Sequence, residues 1–153
     1  MWFIVLLTLG VLQPCRAGFD RAEAGARAAA LGGAFTAVGG DIWAPAYNVG
    51  GLSRLGQAEA SFFISPSPFG LPELSFQAGT LGIPTSLGVI GIAASKFGDQ
   101  LYQELTGTIS YAKSIPHAGF GISIHYHAAR IARYGSAGAI ALDAGILVDA
   151  SQQ

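Results

Sequence analysis

Beyond Gln57 the chain is written in a two-residue rhythm. In "LYQELTGTISYAK" (101–113), Leu101, Leu105, Ile109 and Tyr111 fall on one parity, and Glu104, Thr106, Thr108 and Ser110 on the other. "GFGISIHYHAAR" (119–130) repeats the arrangement, with Phe120, Ile122, Ile124 and Tyr126 opposite Ser123, His125 and His127. "GAIALDAGILVD" (138–149) does so again: Ile140, Leu142, Ile146 and Val148 share a face, and Asp143 and Asp149 point the other way. "QAEASFFIS", "PELSFQAGTLGI" and "SLGVIGIAASKFG" are less regular but match in length and spacing, and "SPSPFGLP", "PTS" and "GDQ" between them are turn material. A period of two bounded by Gly, Pro, Ser and Asp predicts strands. About six strands in meander order follow. Frequent Gly, β-branched and aromatic residues, with no sustained 3.6-residue spacing, exclude helices here.

The first 56 residues follow no such rhythm. "MWFIVLLTLGVL" (1–12) is apolar but shorter than the roughly 20 residues a membrane-spanning helix needs. With Cys15 and Ala17 at the −3 and −1 positions of a small-residue site, residues 1–17 are expected to be a signal peptide cut after Ala17. A lipoprotein with Cys15 acylated is disfavoured by Pro14. Residues 18–56 are mostly Ala and Gly, with Phe19, Phe35, Trp43 and Tyr47 as their aromatics. "DRAEAGARAAALGGAF" can form one or two helical turns, and Gly25, Gly32 and Gly33 weaken them by about 1 kcal/mol each relative to Ala. The segment is expected to be compact, irregular and held by packing on something larger.

Composition narrows the choice of sheet. Of 153 residues, 51% are hydrophobic and 11% charged, against the roughly 25% charge of soluble domains. So much apolar surface excludes disorder. A net charge of −1 with scattered Lys and Arg excludes a nucleic-acid-binding surface. The lone Cys15 leaves the mature chain without a disulfide or a thiolate metal site. A soluble sandwich hides its apolar faces between two sheets; a membrane barrel turns them to lipid and points small or polar residues inward. Charge is scarce even on the polar parity, that parity is rich in Gly, Ser and Thr, and Tyr102, Tyr111, Tyr126 and Tyr134 lie near strand ends where aromatic girdles form. The expected fold is all-β: an antiparallel transmembrane β-barrel, incomplete at about six strands, preceded by a small Gly/Ala-rich, partly helical plug over 18–56, with 57–153 as the strand region.

The stretch "GARAAALGGAFTAVGGDIWAPAYNVGGL" (25–52) resembles the start of the mature outer-membrane proteins related to the long-chain fatty-acid transporter (FadL-like), most of all the PorV/PorQ group. Sixteen positions match that group's opening pattern in order, among them Gly32, Gly33, Phe35, Asp41, Tyr47, Asn48 and Gly51. "AGAIALDAGIL" (137–147) is similar to the group's "ALDLGLL" strand. Gly40 stands where an Asp is usual, and Val49-Gly50 replaces a Pro-Ala after Asn48, so the turn there lacks proline's fixed φ. The resemblance implies that the segment is a plug inside a barrel, where irregular backbone is enclosed by protein. Family members have about fourteen strands and single-chain bacterial barrels at least eight. The chain is therefore expected to be an amino-terminal fragment, with two sheet edges open.

Candidate chemistry is sparse. His125 and His127 form an H-x-H pair on one strand face, with Glu104, Asp143 or His117 as conceivable third metal ligands; the competing reading is a pair of polar residues lining a lumen. No G-x-S-x-G elbow anchors a nucleophile, and "LGGAFTAVGG" lacks the G-K-[ST] ending of a phosphate loop. Glu104, Asp143 and Asp149 share the face of the histidines and are expected to line the lumen. Arg130 and Arg133, beside Tyr126 and Tyr134, suit a membrane–water boundary. No cofactor and no covalent chemistry are expected. The resemblance implies an outer-membrane protein of a Gram-negative bacterium, in contact with outer-membrane lipid and serving as a passive conduit for hydrophobic small molecules such as long-chain fatty acids. One alternative is a PorV-like adaptor that hands secreted-protein cargo to other components without transporting solute. Another is a secreted soluble β protein with a metal at the histidines.

Overall fold

A computed structural model of the protein describes residues 24–149. The expected signal peptide, with Cys15 and Ala17, lies outside the described residues. From Glu59 onward the chain is one antiparallel sheet in the order of the sequence, β1 (Glu59–Ser65), β2 (Phe76–Pro84), β3 (Val89–Gly98), β4 (Tyr102–Ile115), β5 (Ala118–Ile131) and β6 (Gly135–Val148). The all-β class, the six strands and the meander order agree with the alternation read from the sequence. From β2 onward each link is short because its residues turn the chain at once. Pro116-His117 joins β4 to β5, with Ile115 paired to Ala118 and His117 at φ 66°. Pro66, Pro68 and Pro72 keep the longer β1–β2 link out of the ladder, and it folds instead into two 3-10 turns, Pro68–Gly70 and Pro72–Leu74.

The register gives the sheet two unlike faces. Phe62, Ile64, Leu81, Ile92, Leu105, Ile109, Ile122, Ile124, Ile140 and Leu142 all stand on the outer face and are exposed, Phe62, Ile140 and Leu142 to 83%, 74% and 75%. The inner face carries Phe76, Ala78, Thr80, Ser110, Ala112, Ser123 and His125, all buried. Tyr102 opens β4 on the inner parity and donates its hydroxyl hydrogen bond to Glu104, so it is not part of an outer aromatic row. Leu101 precedes β4, in the turn capped by Asp99, whose carboxylate accepts from the Leu101 and Tyr102 backbone N–H groups.

What covers the inner face is the irregular segment 24–57. Its one α-helix, α1 (Ala26–Ala30), is barely more than a turn, entered through Gly25 at φ 92° and ended at Gly32 and Gly33, both at positive φ. Two 3-10 turns follow, Ala44–Ala46 and Val49–Arg54. Phe35, Trp43, Ala44, Leu52 and Leu55 from this segment form a single buried cluster with Phe76, Ala78, Val89 and Ala112 of the sheet. Close approach depends on missing side chains. The turn Val49–Arg54 lies directly on β5 and β6, where a Cβ on Gly121 would come within 2.5 Å of the Val49 carbonyl oxygen. One on Gly50 would come within 2.9 Å of the Ile146 Cα. Among the described residues β1 and β6 are the sheet's edges, and no helix is long and apolar enough to cross a membrane.

Candidate functional site

Strand alternation lines up one polar parity across β4, β5 and β6. Thr106 pairs with His127, Thr108 with His125 and Ser110 with Ser123 in the register, and the side chains of each pair meet. Thr106 Oγ1 is 3.0 Å from His127 Nδ1, Thr108 Oγ1 is 2.9 Å from His125 Nδ1, and the two serine hydroxyls are 2.9 Å apart. These are cross-strand pairs, the ordinary unit of sheet cohesion, repeated over three rungs. The imidazoles of His125 and His127 stack with ring centroids 5.7 Å apart and planes within 6°. Asp143 comes in from β6, its Oδ2 3.2 Å from His125 Nε2. Which ring nitrogen of His125 carries the proton decides whether Nδ1 donates to the Thr108 hydroxyl or accepts from it.

Facing this polar wall is an apolar one. Trp43 and Ile42 from the irregular segment, with Phe76 on β2 and Phe97 on β3, close a cavity of about 260 Å³ whose other side is Glu104, Thr106, Thr108, His125, His127 and Asp143. The space exists because Ala78, Ala93, Ser95 and Ala141 are small where a Leu or Phe would fill it. Trp43 is held in place by its indole N–H, which donates to Ser61 Oγ at 3.1 Å, and by edge-on contact with Phe63 at 6.4 Å. Glu104 is buried, opposite Phe97 in the register, with the Tyr102 hydroxyl as a donor.

Of the residues singled out from the sequence, the structure brings Glu104, His125, His127 and Asp143 together at this cavity. Asp149 stands apart, just past β6, and is ion-paired with Arg54. His117 occupies the β4–β5 turn, eight residues from His125 on β5, about 26 Å along an extended strand. It is too remote to share a metal with the pair. Among the described residues no three His, Cys, Asp or Glu side chains are placed to hold a metal ion.

The residues singled out in the family-like stretch, Gly32, Gly33, Phe35, Asp41, Tyr47, Asn48 and Gly51, lie outside the cavity lining and brace the segment itself. Phe35 is buried against Tyr47, ring centroids 5.2 Å apart, under the Arg27 guanidinium, which is 5.7 Å from the Phe35 ring. Arg27 is also 3.3 Å from Asp41, whose other oxygen accepts from the Trp43 N–H at 2.9 Å. Tyr47 donates to the Ala24 carbonyl at 3.0 Å. Asn48 donates to the carbonyls of Thr36 and Ile146, both at 2.9 Å, and accepts from the Gly50 N–H at 3.0 Å. Gly51 accepts from the Gly40 N–H at 3.0 Å, and Gly32 and Gly33 turn the chain out of α1. Sequence reasoning did not attach Trp43, Phe76 and Phe97 to the site. Their contribution depends on which irregular turn docks over which strand, and no local period encodes that.

Chemically the cavity offers hydrogen-bond acceptors and imidazoles on one side and aromatic surface on the other. The chain matches no protein-family model, no curated protein and no solved structure.

Proposed function

We propose that this chain is part of an outer-membrane β-barrel in which segment 24–57 is the plug and the space between plug and wall is a passive conduit for hydrophobic small molecules. The observation that carries the reading is the division of parities. On the outer face large apolar side chains stand exposed on every strand, and on the inner face the residues are small, polar or covered. A water-soluble protein rarely exposes a continuous apolar patch beyond a few hundred Å². Strand length supports the same reading. At about 3.3 Å per residue, the 14-residue strands β4, β5 and β6 are about 46 Å long, and tilted by about 40° they rise about 35 Å, enough to cross the hydrocarbon core of about 30 Å. The resemblance of residues 25–52 to the plug of FadL-like proteins, and the way those residues brace the segment over the inner face, agree with it.

Within a membrane no sheet edge stays open, so in this reading β1 and β6 each pair with a further strand. The test is solute uptake by proteoliposomes carrying the full-length gene product, together with its partition between detergent and water. Uptake of a labelled hydrophobic solute, from a panel running from long-chain fatty acids to aromatic amines, supports the conduit. Co-purification of a secreted protein without uptake replaces it with the adaptor. Recovery as a folded monomer in aqueous extracts, with no detergent, overturns both.

A further inference from the structure

The proposed conduit leaves the solute open, and the cavity on the inner face narrows it. Its lining includes the carboxylates of Glu104 and Asp143 and the imidazoles of His125 and His127, but neither Lys nor Arg. The cations nearest in the chain are committed elsewhere. Arg27 is paired with Asp41 and Arg54 with Asp149, and neither lines the cavity. Lys96 and Lys113 alternate with the inner-face residues of β3 and β4 and so belong to the outer parity.

The charge-bearing side chains of the lining are thus carboxylates and imidazoles without Lys or Arg, in a space partly closed to water, where charges act more strongly than in bulk solvent. A carboxylate brought here meets two carboxylates and neither Lys nor Arg. A protonated amine meets two carboxylate acceptors, with the indole of Trp43 and the ring of Phe97 as apolar surfaces that also favour a cation over their faces. Size agrees. A cavity of about 150 Å³ holds benzene, so one of about 260 Å³ takes a single ring with a short polar tail.

We propose that this cavity is a binding site for a compact aromatic molecule bearing a protonated amine, its ring between Trp43 and Phe97 and its head toward Glu104 and Asp143. As the identity of a transported solute the proposal rests on the conduit reading; as a binding site it stands on the cavity alone. Three probes share one apolar body: phenethylamine, its carboxylate counterpart 3-phenylpropanoate, and uncharged ethylbenzene. Binding is measured on the detergent-solubilised full chain at pH 8, by calorimetry and by tryptophan fluorescence in a Trp2→Phe background, which leaves Trp43 as the one indole of these residues.

The amine is expected to bind about tenfold or more tightly than the carboxylate, the scale of one charge-assisted hydrogen bond. Glu104→Gln and Asp143→Asn, which keep shape and remove charge, are each expected to lower the ratio of amine to carboxylate affinity in the same protein. Equal or tighter binding of the carboxylate overturns the proposal, as does failure of all three probes to bind. The ranking in the unmodified protein decides it even if a variant does not fold. Flux is scored separately in liposomes. Amine binding without flux keeps the site and loses the conduit; flux without amine preference loses the site and keeps the conduit.

Discussion

Asn48 shows how much a single amide can hold in an irregular segment. Its side chain joins the Thr36 carbonyl, the Ile146 carbonyl of β6 and the Gly50 N–H, so it ties two stretches of the segment to each other and to the sheet. Replacing Asn48 by Ala leaves two carbonyls without this donor and one N–H without its cap. The expected cost is about 2 kcal/mol or more, read as a lowered denaturation midpoint in detergent. Asn48→Asp keeps the acceptor for Gly50 but sets a carboxylate against two carbonyl oxygens, and is expected to destabilise at least as much. His117 makes the opposite case. It sits at positive φ after a proline, at the turn position that favours glycine. His117→Gly is expected to raise stability by up to about 1 kcal/mol, because a residue with Cβ is strained there. An unchanged or lower midpoint would mean that the imidazole makes a compensating contact.

Among the elements, the 3-10 turn Val49–Arg54 is the one that fastens segment to sheet, and glycine makes its seat. Gly121→Val places a branched side chain against the Val49 carbonyl. It is expected to lift the turn from β5 and to expose bonds within 31–57 to protease while β4–β6 stay protected, since strand register does not depend on the turn. Cleavage unchanged from the parent chain would show that the turn has room to shift. The strands themselves were legible because alternation is a local signal. Leu105, Ile109 and Tyr111 against Thr106, Thr108 and Ser110 announce two faces before any partner is known. The site was half legible for the same reason. Parity places Glu104, His125, His127 and Asp143 on one face, whereas the rung that sets Thr108 against His125 requires the β4–β5 register. Tyr102 was misjudged because nearness to a strand end says nothing of parity, and its hydroxyl turns inward to Glu104. Trp43 could not be placed at all, since its position comes from the turns around Asp41 and Ala44–Ala46 and from Ser61 on β1.

For the whole molecule the two parities become two environments, and the proposed membrane location makes them separable by experiment. Cys15 is the one cysteine of the sequence, so in a Cys15→Ser background a single introduced thiol is the sole label site of these 153 residues. Labels at Phe62, Ile92, Ile109, Ile122 and Ile140 stand on the outer face of five strands, and labels at Thr80, Ser110 and Ser123 on the inner face. If the outer face meets hydrocarbon, a fluorophore at each of the first five is quenched by nitroxide-bearing lipid, and at each of the last three it is not. The contrast has to reverse at every step of one residue along β4, from Ile109 to Ser110, because side chains in a strand alternate faces. A soluble sheet whose apolar face is covered by another protein gives no lipid quenching at either parity. A peripheral protein lying on the surface quenches at one end of a strand only. Quenching at both Ile109 and Ile122, which lie well inside β4 and β5, therefore separates a wall that crosses the bilayer from one that touches it. Parity also constrains closure. With six strands in meander order β6 runs antiparallel to β1, so a barrel that completes this sheet in the same up-and-down manner adds an even number of strands, and at least two, to reach the eight of the smallest known single-chain barrels.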